Sequence, residues 1–509
     1  MFENQPKALY ALALANTGER FGYYTMIAVF SLFLRANFGL TSDQAGLIYG
    51  VFLALVYFLP LIGGIMADKF GYGKMVTIGI IVMFAGYLFL SIPLGGGVMG
   101  YAAMFGALLL VSLGTGLFKG NLQVMVGNLY DAPELSAKRD SGFSIFYMAI
   151  NIGALFAPTA AVRIKEWAEH SLGYSGNDAY HFSFAVACVS LIVSMMIYYA
   201  FRSTFKHVEA GAGKSKKTDT AGTEEELTPH QTKERIVALC LVFAVVIFFW
   251  MSFHQNGLTL TYFADEFVNP KSEGVQTMAF DVINLVMIIF MVYSLMSFFQ
   301  SKTSKAKLIS TVVFLAAVGV LVYKYHNIGG PVDVSAPIFQ QFNPFYVVAL
   351  TPVSMAIFGA LAAKGKEPKA PRKIAYGMII AGCAYLLMVW ASRGLLTPNA
   401  QAAAKAAGET VPFASGNWLI GTYLILTFGE LLLSPMGISF VSKVAPPKYK
   451  GAMMGGWFVA TAIGNLLVSV GGFLWNDIPL TIVWAVFIIL CFISAGFMFL
   501  MMKRLEKVA

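Results

Sequence analysis

Apolar residues come in runs of about 20 along nearly the whole chain, broken by short polar stretches. A run of that length crosses a hydrocarbon core of about 30 Å as a helix. The runs fall at approximately 8–36, 44–66, 75–95, 99–130, 142–165, 180–202, 235–265, 275–300, 306–326, 342–363, 373–393, 416–444, 449–475 and 479–503. Inside lipid a spanning segment must satisfy its own backbone hydrogen bonds, so each run predicts an α-helix. Fourteen helices are expected, and an even number puts both termini on one side of the membrane.

Composition agrees with the pattern. Of 509 residues, 58% are hydrophobic and 12% charged, about half the roughly 25% charge of soluble domains. The chain is therefore an all-α polytopic membrane protein. Its net charge of +9 does not argue for nucleic acid, because the lysines and arginines sit mostly in short loops, where they set orientation. The basic loops "DKFGYGK", "SAKRDSG", "SKTSKAK", "AAKGKEPKAPRK" and "KVAPPKYKG" and the tail "KRLEKVA" alternate onto one face. Both termini are expected in the cytoplasm. Cys188, Cys240, Cys383 and Cys491 all lie in apolar runs. They lack metal-ligand spacing and read as small hydrophobes. The N-terminal stretch "MFENQPKAL" is expected to lead into a retained first helix rather than a signal peptide, since no small-residue cleavage site follows a short apolar core.

The longest polar segment, 203–234, has no apolar periodicity and reads as a cytoplasmic linker. Its "GAGKS" lacks the first glycine of a phosphate loop, Val208 standing there, so nucleotide binding is not expected. The linker divides six helices (1–202) from eight (235–509). Two six-helix bundles with a cavity between them are the expected plan. The pair at about 275–326 reads as an inserted peripheral hairpin.

A charge at the bilayer centre costs roughly 2.5–3.5 kcal/mol on insertion scales. This chain places Glu19 and Arg20 in helix 1, Lys119 in helix 4, His254 in helix 7 and Glu430 in the helix at 416–444. Asn16, Arg20, Tyr23 and Ile27 recur on one stripe of helix 1, and Glu19 joins it through Tyr23 one turn on. Such a stripe lines a wet cavity. A purely structural salt bridge is the competing reading for the Glu19/Arg20 pair.

"NTGERFGYYT" resembles the ExxERFxYYG signature of the proton-dependent oligopeptide transporters, a branch of the major facilitator superfamily. "GGIMADKFGYGK", "GTGLFKGNLQ", "DSGFSIFYMAINIGALFAP", "FNPFYVVALTPV" and "TFGELLLSPMGISFVSKVAP" match further family stretches in the expected order. The resemblance implies a major facilitator fold of two six-helix bundles plus the hairpin. It also implies import of di- and tripeptides by proton symport. Arg20 and Lys119 would anchor the peptide carboxylate and Glu430 its ammonium. Asn151 and Asn343 would bond its amides or terminus, and Tyr23, Tyr57 and Trp457 would wall the pocket. For Asn343, Asn151, Tyr57 and Trp457, packing roles compete with binding. Asp68 and Lys69, at the cytoplasmic edge, would gate helix movement. The expected partners are the peptide, protons and the bilayer, with the protein acting as a monomer. No cofactor or metal is expected.

Three positions depart from the family pattern. Asn16 replaces the first glutamate of ExxER, Ile27 replaces a second arginine, and His254 stands where many members carry a glutamate. Asn16 cannot titrate, which leaves Glu19 as the expected coupling group and His254 as the second. The rival function is transport of another small zwitterionic or anionic solute without proton coupling. An enzyme is not expected, because neither HExxH nor GxSxG occurs. A substrate sensor would need a signalling domain, and only the linker is at hand.

Overall fold

The structure, a computed structural model, describes residues 5–136, 138–210, 227–446 and 449–508. Before the linker come α1 (Lys7–Phe38), α2 (Ser42–Phe70), α3 (Tyr72–Leu90), α4 (Val98–Asn128), α5 (Arg139–Leu172) and α6 (Tyr180–Ala200). After it come α7 (Pro229–Glu266), α8 (Val282–Gln300), α9 (Ser304–His326) and α10 (Phe342–Ala363). The last four are α11 (Ala370–Ala391), α12 (Gly416–Val444), α13 (Lys450–Leu467) and α14 (Leu480–Leu500). Among the described residues, thirteen helices are long and apolar enough to cross a membrane. α1 makes the fourteenth by length: its 32 residues rise about 48 Å, with Asn16, Glu19 and Arg20 lowering its apolarity near the middle.

Most element ends follow local chemistry. α1 stops at Gly39 and α5 at Gly173, both left-handed, with φ of 62° and 75°, a conformation glycine adopts without strain. Thr228 caps α7 by accepting from the Gln231 amide at 3.3 Å, with Pro229 in the first helical position. Elsewhere the outcome departs from the hydropathy reading. α5 runs on to Leu172, because Arg163–Glu166 and Lys165–Glu169 pair across single turns at 3.2 and 2.5 Å and keep a polar stretch helical. α7 is not one continuous helix: a 3-10 turn at His254–Gly257 separates Pro229–Phe253 from Thr259–Glu266. α8 begins at Val282 rather than near 275, where Asp281 accepts from the Ile283 amide at 2.9 Å. The loop before α12 carries an unexpected helix, Pro398–Ala406, capped by Thr397.

The linker begins folded. Arg202 grips Glu209 at 2.8 Å, Tyr198 donates to the same carboxylate at 3.1 Å, and the Gly73 amide donates to the Glu209 carbonyl at 3.2 Å. This pins the chain after α6 to the start of α3. The "GAGKS" stretch and the rest of 211–226 lie outside the described residues.

The chain packs as two compact units, one of Met1–His254, Ile438–Phe473 and Lys503–Ala509, the other of Gln255–Gly437 and Leu474–Met502. In the first, α1 lies against α5 and α6, α4 against α2 and α3, and α13 against α2 and the first part of α7. In the second, α11 packs on α14 and α8 on α9 and α10. Its core holds Trp484, whose indole donates to Ser392 Oγ at 2.8 Å, beside Tyr385 and Trp475. A two-stranded antiparallel ribbon, β1 (Lys271–Ser272) with β2 (Val332–Asp333), ties two of its loops together. The hairpin of α8 and α9 is peripheral: only 22% of the apolar stretch of α8 and 11% of that of α9 is buried. Tyr293 fastens it to the Val348 carbonyl of α10 at 3.1 Å.

Candidate functional site

The first unit holds Glu19, Arg20 and Tyr23 in one group of contacts and Lys119, Tyr57 and His254 in another. Small residues seat the α1 segment that carries the ion pair. Ser190 and Ser194 of α6 donate to the Gly18 and Ala15 carbonyls, each at 2.6 Å. On the other side Thr17 donates to the Ala149 carbonyl of α5 at 3.0 Å. A Cβ on Gly153 would come within 2.8 Å of the Thr17 carbonyl. α1 is thus held nearly backbone to backbone on both flanks, with Glu19 and Arg20 buried. Arg20 donates through Nε and Nη2 to both carboxylate oxygens of Glu19. Its guanidinium carbon also lies 4.6 Å from the centre of the Tyr23 ring.

Lys119 is handled differently. Its ammonium sits 4.0 Å over the Tyr57 ring, and among the described residues no carboxylate lies within ion-pairing distance of it. It is close enough to Arg20 and Glu19 to interact electrostatically with both. The frame behind this contact is made of glycine. A Cβ on Gly63 would stand 2.1 Å from the Gly116 carbonyl, and one on Gly116 would strike Leu59 at 2.7 Å. Asn121, two residues past Lys119, donates to the Gly63 carbonyl at 3.1 Å. Ring and ammonium are therefore set by a contact of α2 with α4 that admits no side chain.

Beyond Tyr57 stands His254, ring centres 5.9 Å apart. Its imidazole stacks on Trp250 at 5.2 Å and meets the edge of Phe253 at 5.3 Å. Asn465 of α13, fully buried, lies against it. Neither Asn465 nor Trp250 was singled out from the sequence. An asparagine in the apolar run "AIGNLLVSV" was the available signal, since a polar side chain in lipid needs a partner.

Asn151 and Trp457 belong to the first unit but outside both groups of contacts. The Asn151 amide donates to the Tyr147 carbonyl of its own helix at 3.0 Å. Trp457 is buried against Phe243 of α7, centres 6.4 Å apart. At the other end of α2, Asp68 accepts from Tyr72 at 2.6 Å, and Lys69 lies 5.4 Å from the Phe70 ring centre.

The second unit places Glu430 and Asn343 together. Asn343 Nδ2 donates to Glu430 Oε2 at 2.9 Å and to Thr427 Oγ1 at 3.0 Å. The amide thus reaches across to α12 rather than serving the backbone near Pro344. Thr427 was also missed in the sequence reading. Gly429 fixes the spot, because a Cβ there would lie 2.9 Å from the Gly377 carbonyl of α11. Among the described residues no lysine or arginine nitrogen lies within 4 Å of the Glu430 carboxylate.

Each unit therefore holds an ionisable group with no ionic partner among the described residues, a half-buried cation on an aromatic face in the first and a buried acid on a neutral amide in the second. A cation so held can receive an anion, and an acid so held a cation. Among the described residues, no cluster of His, Cys, Asp and Glu could hold a metal ion.

Comparison with known proteins gives this arrangement its context. The model of the POT family matches residues 73–221 and 324–483. The chain is 26% identical over 481 residues to the dipeptide and tripeptide permease B of Xenorhabdus bovienii, covering 92% of this chain and 86% of that one. A crystal structure of the peptide transporter POT in complex with sulfate shares the fold at a TM-score of 0.74 and 22% identity, over 100% of this chain and 96% of that one. A POT family transporter in complex with 5-aminolevulinic acid superposes at 0.73 with 20% identity, over 100% and 98% of the two chains.

Proposed function

The chain belongs to the POT family, and from that premise we propose that it imports di- and tripeptides by proton symport with alternating access. The observation that carries this reading is the half-buried Lys119, its ammonium resting on Tyr57 with no carboxylate partner among the described residues. The peptide carboxylate binds Lys119 and draws Arg20 toward it. The ammonium binds Glu430, which Asn343 holds in place. Recognising charges common to all short peptides leaves the side chains free to vary, with Tyr23, Tyr57 and Trp457 as apolar walls and Asn151 as a further polar contact.

Coupling follows from competition. With no peptide, both oxygens of Glu19 are occupied by Arg20. When Arg20 turns to the substrate, Glu19 is left without its cation and takes a proton. Binding of peptide and proton are then linked, and the linkage is reciprocal. His254, one ring away from Lys119 across Tyr57, is the second proton carrier. Asp68 and Lys69 gate the cytoplasmic edge. The protein works as a monomer in the inner membrane with both termini in the cytoplasm.

Counterflow of labelled dialanine into vesicles carrying the purified protein tests substrate and coupling separately. Exchange with dipeptides, and accumulation that grows with an inward proton gradient, is the expected result. Equal accumulation without gradient or potential removes the coupling and leaves the substrate. A second reading, a small zwitterion or anion other than a peptide carried without protons, draws on Asn16 and Ile27. Thermal stabilisation by that solute and not by dipeptides would favour it.

A further inference from the structure

We propose that the turn joining α8 to α9 is a docking surface for anionic phospholipid headgroups. The two ends of this hairpin treat charge in opposite ways. At one end Lys324 is neutralised by Asp281. At the other, Lys302, Lys305 and Lys307 stand within six residues, all exposed, and among the described residues none of the three ammonium groups forms an ion pair or hydrogen bond. No aspartate or glutamate occurs anywhere from 282 to 332, so the hairpin cannot compensate them itself. The loop from α10 to α11 comes to the same end of this unit with exposed Lys364 and Lys366, which stand outside the hairpin. Its acid, Glu367, is already bound to Lys373 at 2.5 Å.

The apolar surroundings identify the occupant. Phe299 is 75% exposed, Leu308 65% and Ile309 54%, which is the dressing of a segment sunk in acyl chains. Lys307 keeps its ammonium 5.7 Å from the Phe298 ring, its stem lying along an apolar surface while its charge reaches outward. Ammonium groups standing at the rim of an apolar hairpin meet lipid phosphates, and three unpaired cations select a headgroup of net negative charge over a zwitterionic one. A soluble phosphate would leave Phe299, Leu308 and Ile309 without a partner. The surface thus takes lipid, and it gives an otherwise peripheral hairpin an attachment to one leaflet.

Native mass spectrometry of the full chain, equilibrated with equal phosphatidylglycerol and phosphatidylcholine, measures the preference. Wild type should retain phosphatidylglycerol selectively, each lysine contributing about fivefold. The K302Q/K305Q/K307Q variant should lose most of that selectivity, with its thermal midpoint in phosphatidylcholine unchanged. A K364Q/K366Q variant should keep most of it. No preference in wild type overturns the proposal. So does full retention in the hairpin variant, or an equal loss in the loop variant, which would mean general surface charge. A hairpin variant whose midpoint falls also overturns it, since the lysines would then be structural.

Discussion

In the first unit the lone ammonium of Lys119 rests on an aromatic face inside a frame of touching backbones, whereas in the second the lone carboxylate of Glu430 rests on a side-chain amide. The cation is supported by a ring, which attracts it without quenching its charge. The acid is supported by a donor that polarises it without neutralising it. A full counter-ion in either place would have to be displaced by any incoming charged ligand. Weak neutral support leaves each group available, and the Glu19–Arg20 pair shows the contrasting case of a charge that already has its partner.

Removing the lone cation should have the largest effect. K119Q should lower dipeptide counterflow by about a hundredfold or more, since a buried charge-assisted contact contributes roughly 1.5–3 kcal/mol and the carboxylate would also lose its electrostatic partner. Transport within a few-fold of wild type would show that Lys119 is not the anchor. N343A should cost about tenfold in apparent affinity through the Glu430 end, with folding retained. Its absence from the Km of dialanine would mean the amide only packs. G63A tests the frame. A methyl directed at the Gly116 carbonyl should destabilise the protein by about 1–3 kcal/mol, read as a fall in thermal midpoint. Y57L should weaken uptake only about three- to tenfold, the value of a ring under a cation, and Y57F should restore it. Equal loss in Y57F would assign the role to the hydroxyl instead.

Much of the fold was legible because membrane helices are written in a coarse code, long apolar runs with charged breaks. The code fails where helicity and apolarity part company. Residues 166–172 are polar and helical through pairs one turn apart. The 3-10 turn at His254–Gly257 sits inside a run that reads as continuous. In the site, charges were easy to see because each is out of place in lipid, and helical spacing put Arg20 and Tyr23 on one stripe. What sequence could not supply was partnership across helices. Nothing in the order of residues tells that Lys119 stands over Tyr57, that Asn343 reaches Thr427 and Glu430, or that Asn465 backs His254. Nor does it tell that Trp457 lies against Phe243. These depend on rotation and close approach, which small residues such as Gly63 and Gly116 decide from a distance in the chain.

That approach has a consequence for motion. Where two main chains abut with no side chain between them, the helices already stand at their closest spacing. Neither α2 nor α4 can move toward the other there, so under the transport proposed above the release of a carboxylate from Lys119 would come from changes elsewhere in its surroundings.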